Sequence, residues 1–533
     1  MANGMGSLMV GATGLRSSQT ALNTTAHNLS NVNTEGYTRQ QITFADSTYA
    51  NVFSKSLNKG KYGLGVDIDA ISRIRNEFID RSYRTESSRL GFYESQANAV
   101  YEVEDWFGEM QGVTYQEHIT NLYNAVNELT KNPTSTIARS SLIQNATAFI
   151  DRSEAIYSGL KDYQVTLNTE VNNMVEKINS LGQKIYNLNK GIVKVEAEGV
   201  ERANDLRDSR DLALDELSKY IDIDYYETKD GEVIVSAENV PFITKNDIAK
   251  MSVREEGAYG LLIPQWEGYQ QDVYNFDKQA NNANDTDKGK LKGLLIARGV
   301  IEVNYTDIPV MPERADYDLT TEQGMAEYNS AMDAYQQKQD YYNKYIEPSA
   351  ILSAIAGFDK LVNGIVTAMN DVLCPETTMN TTKELTDADG NILKADKYVY
   401  NASTHDVLYD SHGNAVAGKE NGDGTYSYEA SEKLYVDANQ EETENIDSMT
   451  YKILDMSKAG YGMDDDETRG VELFKRNGTD RYKQITGADG STIYVRNNLN
   501  VTGFETDYTL GNLIVNPKAS QNVGTLPLST EHG

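Results

Sequence analysis

Leucine recurs every seven residues at the start of the chain, at Leu8, Leu15, Leu22 and Leu29. The positions that would complete a heptad seam hold small or polar groups: Ala12, Ser18 or Gln19, Thr25 or Ala26, then Val32. One strong apolar row beside one weak row predicts a helix that orders by packing against other helices, its small residues permitting close approach. A helix folded back on its own domain fits the same periodicity. Asn28, Asn31 and Gly36 then end the helix and turn the chain, and 41–75 reads as strands and loops punctuated by Gly60, Gly63 and Gly65.

From Glu77 to Glu216 the pattern is helical, broken at Gly108 to Gly112 and at Asn132-Pro133, where proline cannot continue a helix. Leu167, Val171, Met174, Ile178, Leu181, Ile185, Leu188, Ile192 and Val195 alternate spacings of four and three. At 1.5 Å per residue they predict a rod of roughly 43 Å. A second seam, Ile351, Ile355, Phe358, Val362, Ile365, Met369 and Val372, suggests a helix returning along the first. Asp307 to Tyr345 is Tyr-rich and reads as a helical insertion without an assigned function. Four Asp-Gly pairs, Asp230-Gly231, Asp389-Gly390, Asp423-Gly424 and Asp489-Gly490, sit between runs rich in Val, Ile, Tyr and Thr and predict hairpins with tight primed turns. The expected fold is therefore mixed α and β and multidomain: an elongated helical-bundle or coiled-coil rod with small β-rich outer domains. Its parts are an assembly segment (1–75), a helical rod (76–217), a β-rich unit (218–285), a helical return with the Tyr-rich insertion (286–375), an outer hairpin-rich domain (376–510) and a truncated return segment (511–533).

Charge changes the picture. The 533 residues carry 49 Lys/Arg against 80 Asp/Glu, a net charge of −31, which argues against nucleic acid or an anionic membrane surface as partner. Residues 1–100 carry ten Lys/Arg and eight Asp/Glu, a surplus of two positive charges that leaves −33 on the other 433. In the first forty only Arg16, Glu35 and Arg39 are charged, so this segment looks built to be covered by protein. It lacks the basic and compact apolar regions of a secretory signal. No uninterrupted apolar run approaches 18 residues, which predicts a soluble chain without an ordinary membrane-spanning helix. Cys374 stands alone, so no intramolecular disulfide or all-Cys zinc site exists, and it reads as a buried small hydrophobe.

The run Ala21-Leu22 through Asn28-Leu29-Ser30-Asn31 into Asn33-Thr34-Glu35-Gly36-Tyr37-Thr38-Arg39-Gln40 resembles the N-terminal signature of the bacterial flagellar axial proteins. Asn76-Glu77-Phe78-Ile79-Asp80-Arg81 and Glu86-Ser87-Ser88-Arg89-Leu90-Gly91-Phe92-Tyr93-Glu94 narrow the resemblance to the hook-associated family of the hook-filament junction. Asn204-Asp205-Leu206-Arg207-Asp208-Ser209-Arg210-Asp211 and Gly289-Lys290-Leu291-Lys292-Gly293-Leu294-Leu295-Ile296-Ala297-Arg298 extend it. The mixed signs between Asp205 and Asp211 read as a solvated ion-pair face, with an intersubunit contact as the alternative.

The resemblance implies a structural subunit that polymerises around the flagellar axis, outside the cell, exported without a cleaved signal. Implied partners are copies of itself in a ring, the hook protein and the second junction protein. Its assembly signature maps to Leu8, Leu15, Leu22, Leu29, Asn28, Asn31, Gly36 and Tyr37. The family ends in a C-terminal heptad helix, whereas Asn497 to Gly533 is punctuated by Gly503, Gly511, Pro517, Gly524 and Pro527. The expectation is a truncated chain lacking that helix and the C-terminal site of an export chaperone.

The competing class is a secreted glycosidase-like hydrolase, or an adhesin, carried by the outer β domain, since carboxylates are abundant. The five histidines (His27, His118, His405, His412 and His532) form no His-Glu-x-x-His pair, and there is no phosphate loop or Gly-x-Ser-x-Gly elbow. Aligning Gly390 with position six of a calcium loop puts Leu385 where a carboxylate belongs, so that segment reads as a hairpin. Asp464-Asp465-Asp466-Glu467 reads as a hydrated acidic loop. No catalytic residue, cofactor or metal is assigned.

Overall fold

The computed structural model describes residues 2–52, 60–108, 114–197, 202–257, 260–276, 280–317, 319–320, 322–403, 407–422, 424–443, 445–487, 490–498 and 508–529. Gly112, His405, Asp423, Asp489, Gly503 and His532, singled out above, lie outside them. The helices are α1 (Ala2–Ser30), α2 (Glu77–Phe107), α3 (Tyr115–Lys131), α4 (Thr136–Glu196), α5 (Asn204–Tyr220), α6 (Lys290–Arg298), α7 (Glu322–Tyr341), α8 (Ala350–Leu373) and α9 (Pro517–Gln521). Among the described residues twenty-one strands accompany them, making the chain mixed α and β. Two compact units divide it, one of residues 1–101, 163–302 and 343–352, the other of 102–162, 303–342 and 353–533.

In the first unit, β1 (Gln40–Asp46) pairs antiparallel with β4 (Val66–Arg73), and β2 (Tyr49–Val52) with β3 (Gly60–Gly63). Two three-stranded antiparallel sheets follow, β5 (Ile223–Glu227), β6 (Val233–Ala237) and β7 (Val240–Ile243), then β8 (Met251–Glu256), β9 (Leu261–Trp266) and β10 (Gln271–Asp272). The first apolar row of α4 is their floor: Leu167, Val171, Ile178, Leu181, Ile185 and Ile192 are buried, while Val195 at its end is exposed. Gly182 lets Phe242 lie against the helix, since a Cβ there would sit 2.5 Å from the ring. Backbones also meet closely elsewhere: a Cβ on Gly91 of α2 would lie 2.5 Å from the Lys219 carbonyl, and one on Gly293 of α6 2.5 Å from the Phe92 carbonyl. The Gly-Leu-Leu segment is thus a close-packing element between helices.

In the second unit a seven-stranded antiparallel sheet runs β15 (Lys419–Glu420), β16 (Tyr426–Ala430), β12 (Lys397–Ala402), β17 (Ile446–Leu454), β20 (Thr492–Arg496), β19 (Tyr482–Thr486), with β11 (Glu376–Thr381) also on β17. Small pairs join β13 (Leu408–Tyr409) to β14 (Ala415–Val416) and β18 (Phe474–Arg476) to β21 (Leu513–Val515). Tyr398, Tyr400, Tyr428, Met449, Tyr451 and Val495 fill the sheet's core. Phe107, Tyr115, Phe149, Phe358 and Phe474 form a chain of ring contacts with centroids 4.9 to 6.3 Å apart. Asn370 accepts from the amides of Leu473 and Phe474 and donates to the Phe474 carbonyl at 2.8 Å, fixing α8 to β18. The described part of the C-terminal stretch is integrated here, with Leu510, Leu513, Ala519 and Leu526 buried.

Two sequence expectations need correction. Of the Asp-Gly pairs, the two wholly described, Asp230-Gly231 between β5 and β6 and Asp389-Gly390 inside the Thr386–Ile392 bridge, close antiparallel turns, but not two-residue primed ones. Thr228 N donates to Glu232 O and Asp387 N to Asn391 O, leaving three-residue loops with Gly231 at φ +84° and Gly390 at φ +87° in the last place. This is the loop in which a left-handed glycine closes a bulge. Along α8 the expected seam is buried at Ile351, Ile355, Phe358 and Val362, but beyond them the buried row passes to Val366, Asn370 and Leu373, leaving Ile365 and Met369 half-buried and Val372 79% exposed. A straight helix drifts about 20° per heptad, so the seam leaves the 3.5-residue row within three turns. By length and composition α8 would also pass for a membrane span. Its apolar row is buried in protein, and Asp359 accepts amide bonds from Tyr305 and Leu510.

Candidate assembly interface

Helix α1 is packed inside out. Its hydroxyl face meets β4 and the residues before it: Ser17, 5% exposed, donates to the Val66 carbonyl at 3.3 Å, and the Thr13 hydroxyl, bonded to the Val10 carbonyl of its own helix at 2.9 Å, lies 3.4 Å from the Leu64 carbonyl. Gly65 permits this approach, at φ +105° and with space for a Cβ blocked 2.1 Å from Thr13 Oγ1. The leucine row points the other way, with Leu8, Leu15, Leu22 and Leu29 between 70% and 75% exposed. Burying a leucine side chain is worth roughly 1.5–3 kcal/mol, so four left in water form a costly exposed apolar row.

The polar members of the signature build the corner that holds α1. Asn28 Oδ1 accepts from the Tyr37 hydroxyl at 2.7 Å and from the Gln40 amide at 2.9 Å, while its Nδ2 donates to the Gln40 carbonyl at 2.9 Å. One amide side chain thereby pairs with a strand backbone in both directions. Asn31 Nδ2 donates to the His27 carbonyl at 3.0 Å, occupying a helix-end acceptor. Gly36, at φ +78°, lies where a Cβ would be 3.1 Å from Leu212. The eight signature residues therefore divide into four exposed leucines and four corner residues with intrachain contacts.

Helix α5 anchors this corner. The expectation of a solvated face at Asp205 to Asp211 is overturned, because Asp208, Arg210 and Asp211 are buried. Arg73 Nη1 stands 2.7 Å from both Asp208 and Asp211, Arg75 3.4 Å from Asp211, and Arg84 2.7 Å from Asp215 and 3.5 Å from Asp211. The Thr38 amide donates to Asp208 at 3.1 Å. Burial works against the charged form of Asp211, but Arg75, Arg73 and Arg84 outweigh it and hold the carboxyl below its usual range. The partners come from β4, the loop after it and α2, more than 120 residues upstream, where helical spacing within α5 could not reveal them.

Two clefts flank these elements. One of about 730 Å³ is lined by His27, Gln40, Asp69, Val195, Arg202 and Asp205 among others, and one of about 410 Å³ by Arg73, Arg81, Arg202, Arg207, Tyr226 and neighbours. In the second unit a polar cleft of about 580 Å³ includes Asp387, Asp466, Arg469, Tyr482 and Glu472. Glu472 is pushed up to about 7 by burial, but its carboxylate is engaged with the Tyr508 hydroxyl. Asp222 and Glu238 are also raised, chiefly by burial, and line none of these clefts. Asp410, His412 and Glu432 bring three potential ligand atoms within 4.8 Å of one another. Asp410 is committed to its own loop, accepting from the amides of His412 at 2.9 Å and Asn414 at 2.7 Å, so no metal centre is assigned.

An exposed leucine row stands beside a braced corner, and this same stretch of chain is similar to flagellar proteins. Residues 8–38 match the family model of the flagella basal body rod protein, and residues 100–331 that of the flagellar hook-associated protein FlgK helical domain. Flagellar hook-associated protein 1 of Bacillus subtilis (strain 168) is 30% identical over 310 residues, 56% of this chain and 61% of that protein. Its namesake in Salmonella typhimurium is 25% identical over 213 residues, 40% of this chain and 37% of that protein. The flagellar hook junction protein FlgK from Burkholderia pseudomallei aligns structurally over 85% of this chain and 66% of that one, with a TM-score of 0.40 and 12% identity. The chain is similar to the flagellar hook-associated proteins, and it spans about three fifths of the length of the Bacillus protein.

Proposed function

We propose that this chain is a structural subunit of the bacterial flagellum that self-assembles around the axis at the hook-filament junction, outside the cell, and is required for filament attachment and motility. Its partners are copies of itself, the hook protein and the second junction protein, and its action is mechanical rather than catalytic. The observation that carries this reading is α1, whose serine and threonine face is committed to β4 while its leucine row is exposed. The relatives named above support the placement at the junction.

The test is the double variant Leu15→Asp with Leu22→Asp in a strain lacking the native gene. Both positions are exposed, so the monomer keeps its fold and circular dichroism, while incorporation into flagella and motility are lost. Normal motility of that strain would reject the proposal.

A further inference from the structure

In the second unit the stretch 508–516 is held down by three carboxyl groups from three different elements. Asp359 on α8 accepts the Leu510 amide at 2.8 Å, and Glu154 on α4 accepts the Gly511 amide at 2.9 Å. Glu472, just before β18, accepts from the Tyr508 hydroxyl, which itself accepts from Arg481 at 3.0 Å. Asp359 and Glu472 are 1% and 2% exposed, whereas Glu154 is half-buried. Tyr508 is buried at φ +55°, a left-handed conformation that a bulky side chain keeps only where its surroundings impose it. The stretch then runs into β21, the strand paired with β18, and Asn516 closes it by donating to the Leu473 and Glu472 carbonyls at 2.8 and 2.9 Å. Two of the three carboxyls thus hold main-chain amides, and the third a phenol.

We propose that 508–516 is a pH-sensitive strap, seated while Glu154, Asp359 and Glu472 are neutral and released from α4, α8 and β18 as they ionise. Glu472 is faced by Arg476 of β18, Arg481, Arg496 of β20, Tyr508 of the strap and the Cys374 thiol just after α8. Lys161 of α4 faces Asp359, and Asp359 faces Glu154, so two like charges would lie under adjacent residues of the strap. The Tyr157 ring lies beside Gly511. In all three carboxyls the cost of burying a charge outweighs these cations and the amide bonds. Each is therefore held above its ordinary value, Glu472 at about 7. A carboxyl raised in the fold adds stability that is present below its unfolded value, about 3.9 for Asp and 4.3 for Glu, and is lost as pH rises through the folded value. The strap is accordingly tight at pH 5 and loosens through pH 7, taking β21 off β18. Glu472 alone, at about 7 when seated and about 4.3 once solvent reaches it, raises opening roughly fifty- to a hundredfold between pH 5 and pH 8. This device lies apart from the α1 surface and does not depend on the assembly reading.

Hydrogen exchange of the full chain tests the strap, read by mass spectrometry at pH 5, 6, 7 and 8 and corrected for the intrinsic pH dependence of amide exchange. Peptides covering 508–516 and β18 should open roughly fifty- to a hundredfold more at pH 8 than at pH 5, while those of β12 and β16 do not change. Glu472→Gln keeps an acceptor for Tyr508 but stays neutral, so it should remove most of that rise. Glu154→Gln, which keeps an acceptor for the Gly511 amide, should remove a smaller part. Opening that stays flat from pH 5 to pH 8 in the wild-type chain would overturn the strap. So would a rise shared equally by β12 and β16, which marks loosening of the whole unit, or a folded Glu472→Gln protein that keeps the wild-type slope. The wild-type profile decides the question even where Glu472→Gln does not fold.

Discussion

Replacing Asp211 by Asn tests whether α5 is the anchor of the N-terminal corner. The carboxylate sits among three guanidinium groups, 2.7 Å from Arg73, 3.4 Å from Arg75 and 3.5 Å from Arg84. Removing one partner from a buried ionic cluster costs about 3–5 kcal/mol, because the remaining charges stay buried without compensation. Asp208 and Asp215 still serve Arg73 and Arg84, so the lower end applies, ~3 kcal/mol, or roughly a hundredfold increase in local opening. With two units in the chain a single unfolding midpoint would blur the effect. Hydrogen exchange read by mass spectrometry resolves it: peptides of β4 and α5 should exchange about a hundredfold faster while those of β12 and β17 do not change. The pH dependence has a definite sign. A carboxyl held below its ordinary pKa stabilises the fold above the unfolded value of about 3.9, and that contribution is lost as pH falls through the lower folded value. Wild-type exchange in this region should therefore approach that of Asp211→Asn below about pH 4. An increase under about tenfold at neutral pH, or equal loosening of both units, would refute the anchor.

Gly293→Ala places a Cβ 2.5 Å from the Phe92 carbonyl and 2.9 Å from its Cα, a clash no side-chain rotation relieves. Overpacking of this kind costs about 1–3 kcal/mol, and differential scanning calorimetry should show a lowered transition; an unchanged one would contradict the close approach. Glu472, raised to about 7 by burial, favours its neutral form in the fold. The resulting stability is present below the ordinary value of about 4.3 and lost as pH rises through 7, so Glu472→Gln should unfold later in urea than wild type at pH 8 and similarly at pH 4. Burial pushes the Cys374 thiol up to about 12, so a thiol reagent should label it at pH 8 only in denaturant.

Much of this was visible in the linear pattern, and the failures share a physical cause. The seven-residue spacing of leucine identified α1, and the breaks near Gly108 and at Asn132-Pro133 separate α2, α3 and α4. The spacing could not say which face packs on the chain itself, because Ser17 is satisfied by a carbonyl of a strand some fifty residues away. The charges of α5 looked solvated since their partners Arg73, Arg75 and Arg84 belong to other elements. Asp-Gly marked the two wholly described turns, at Asp230-Gly231 and Asp389-Gly390, but the three-residue loop is defined by amide bonds such as Thr228 N to Glu232 O, which no dipeptide encodes.

The central claim is that the leucine row of α1 is open in the free chain and closed in the assembly. Leu15→Cys, reacted with a maleimide before and after incorporation into flagella, measures this directly. The account predicts rapid labelling of the free protein and strong protection once assembled. Equal labelling in both states, or protection already present in the free chain, would contradict it.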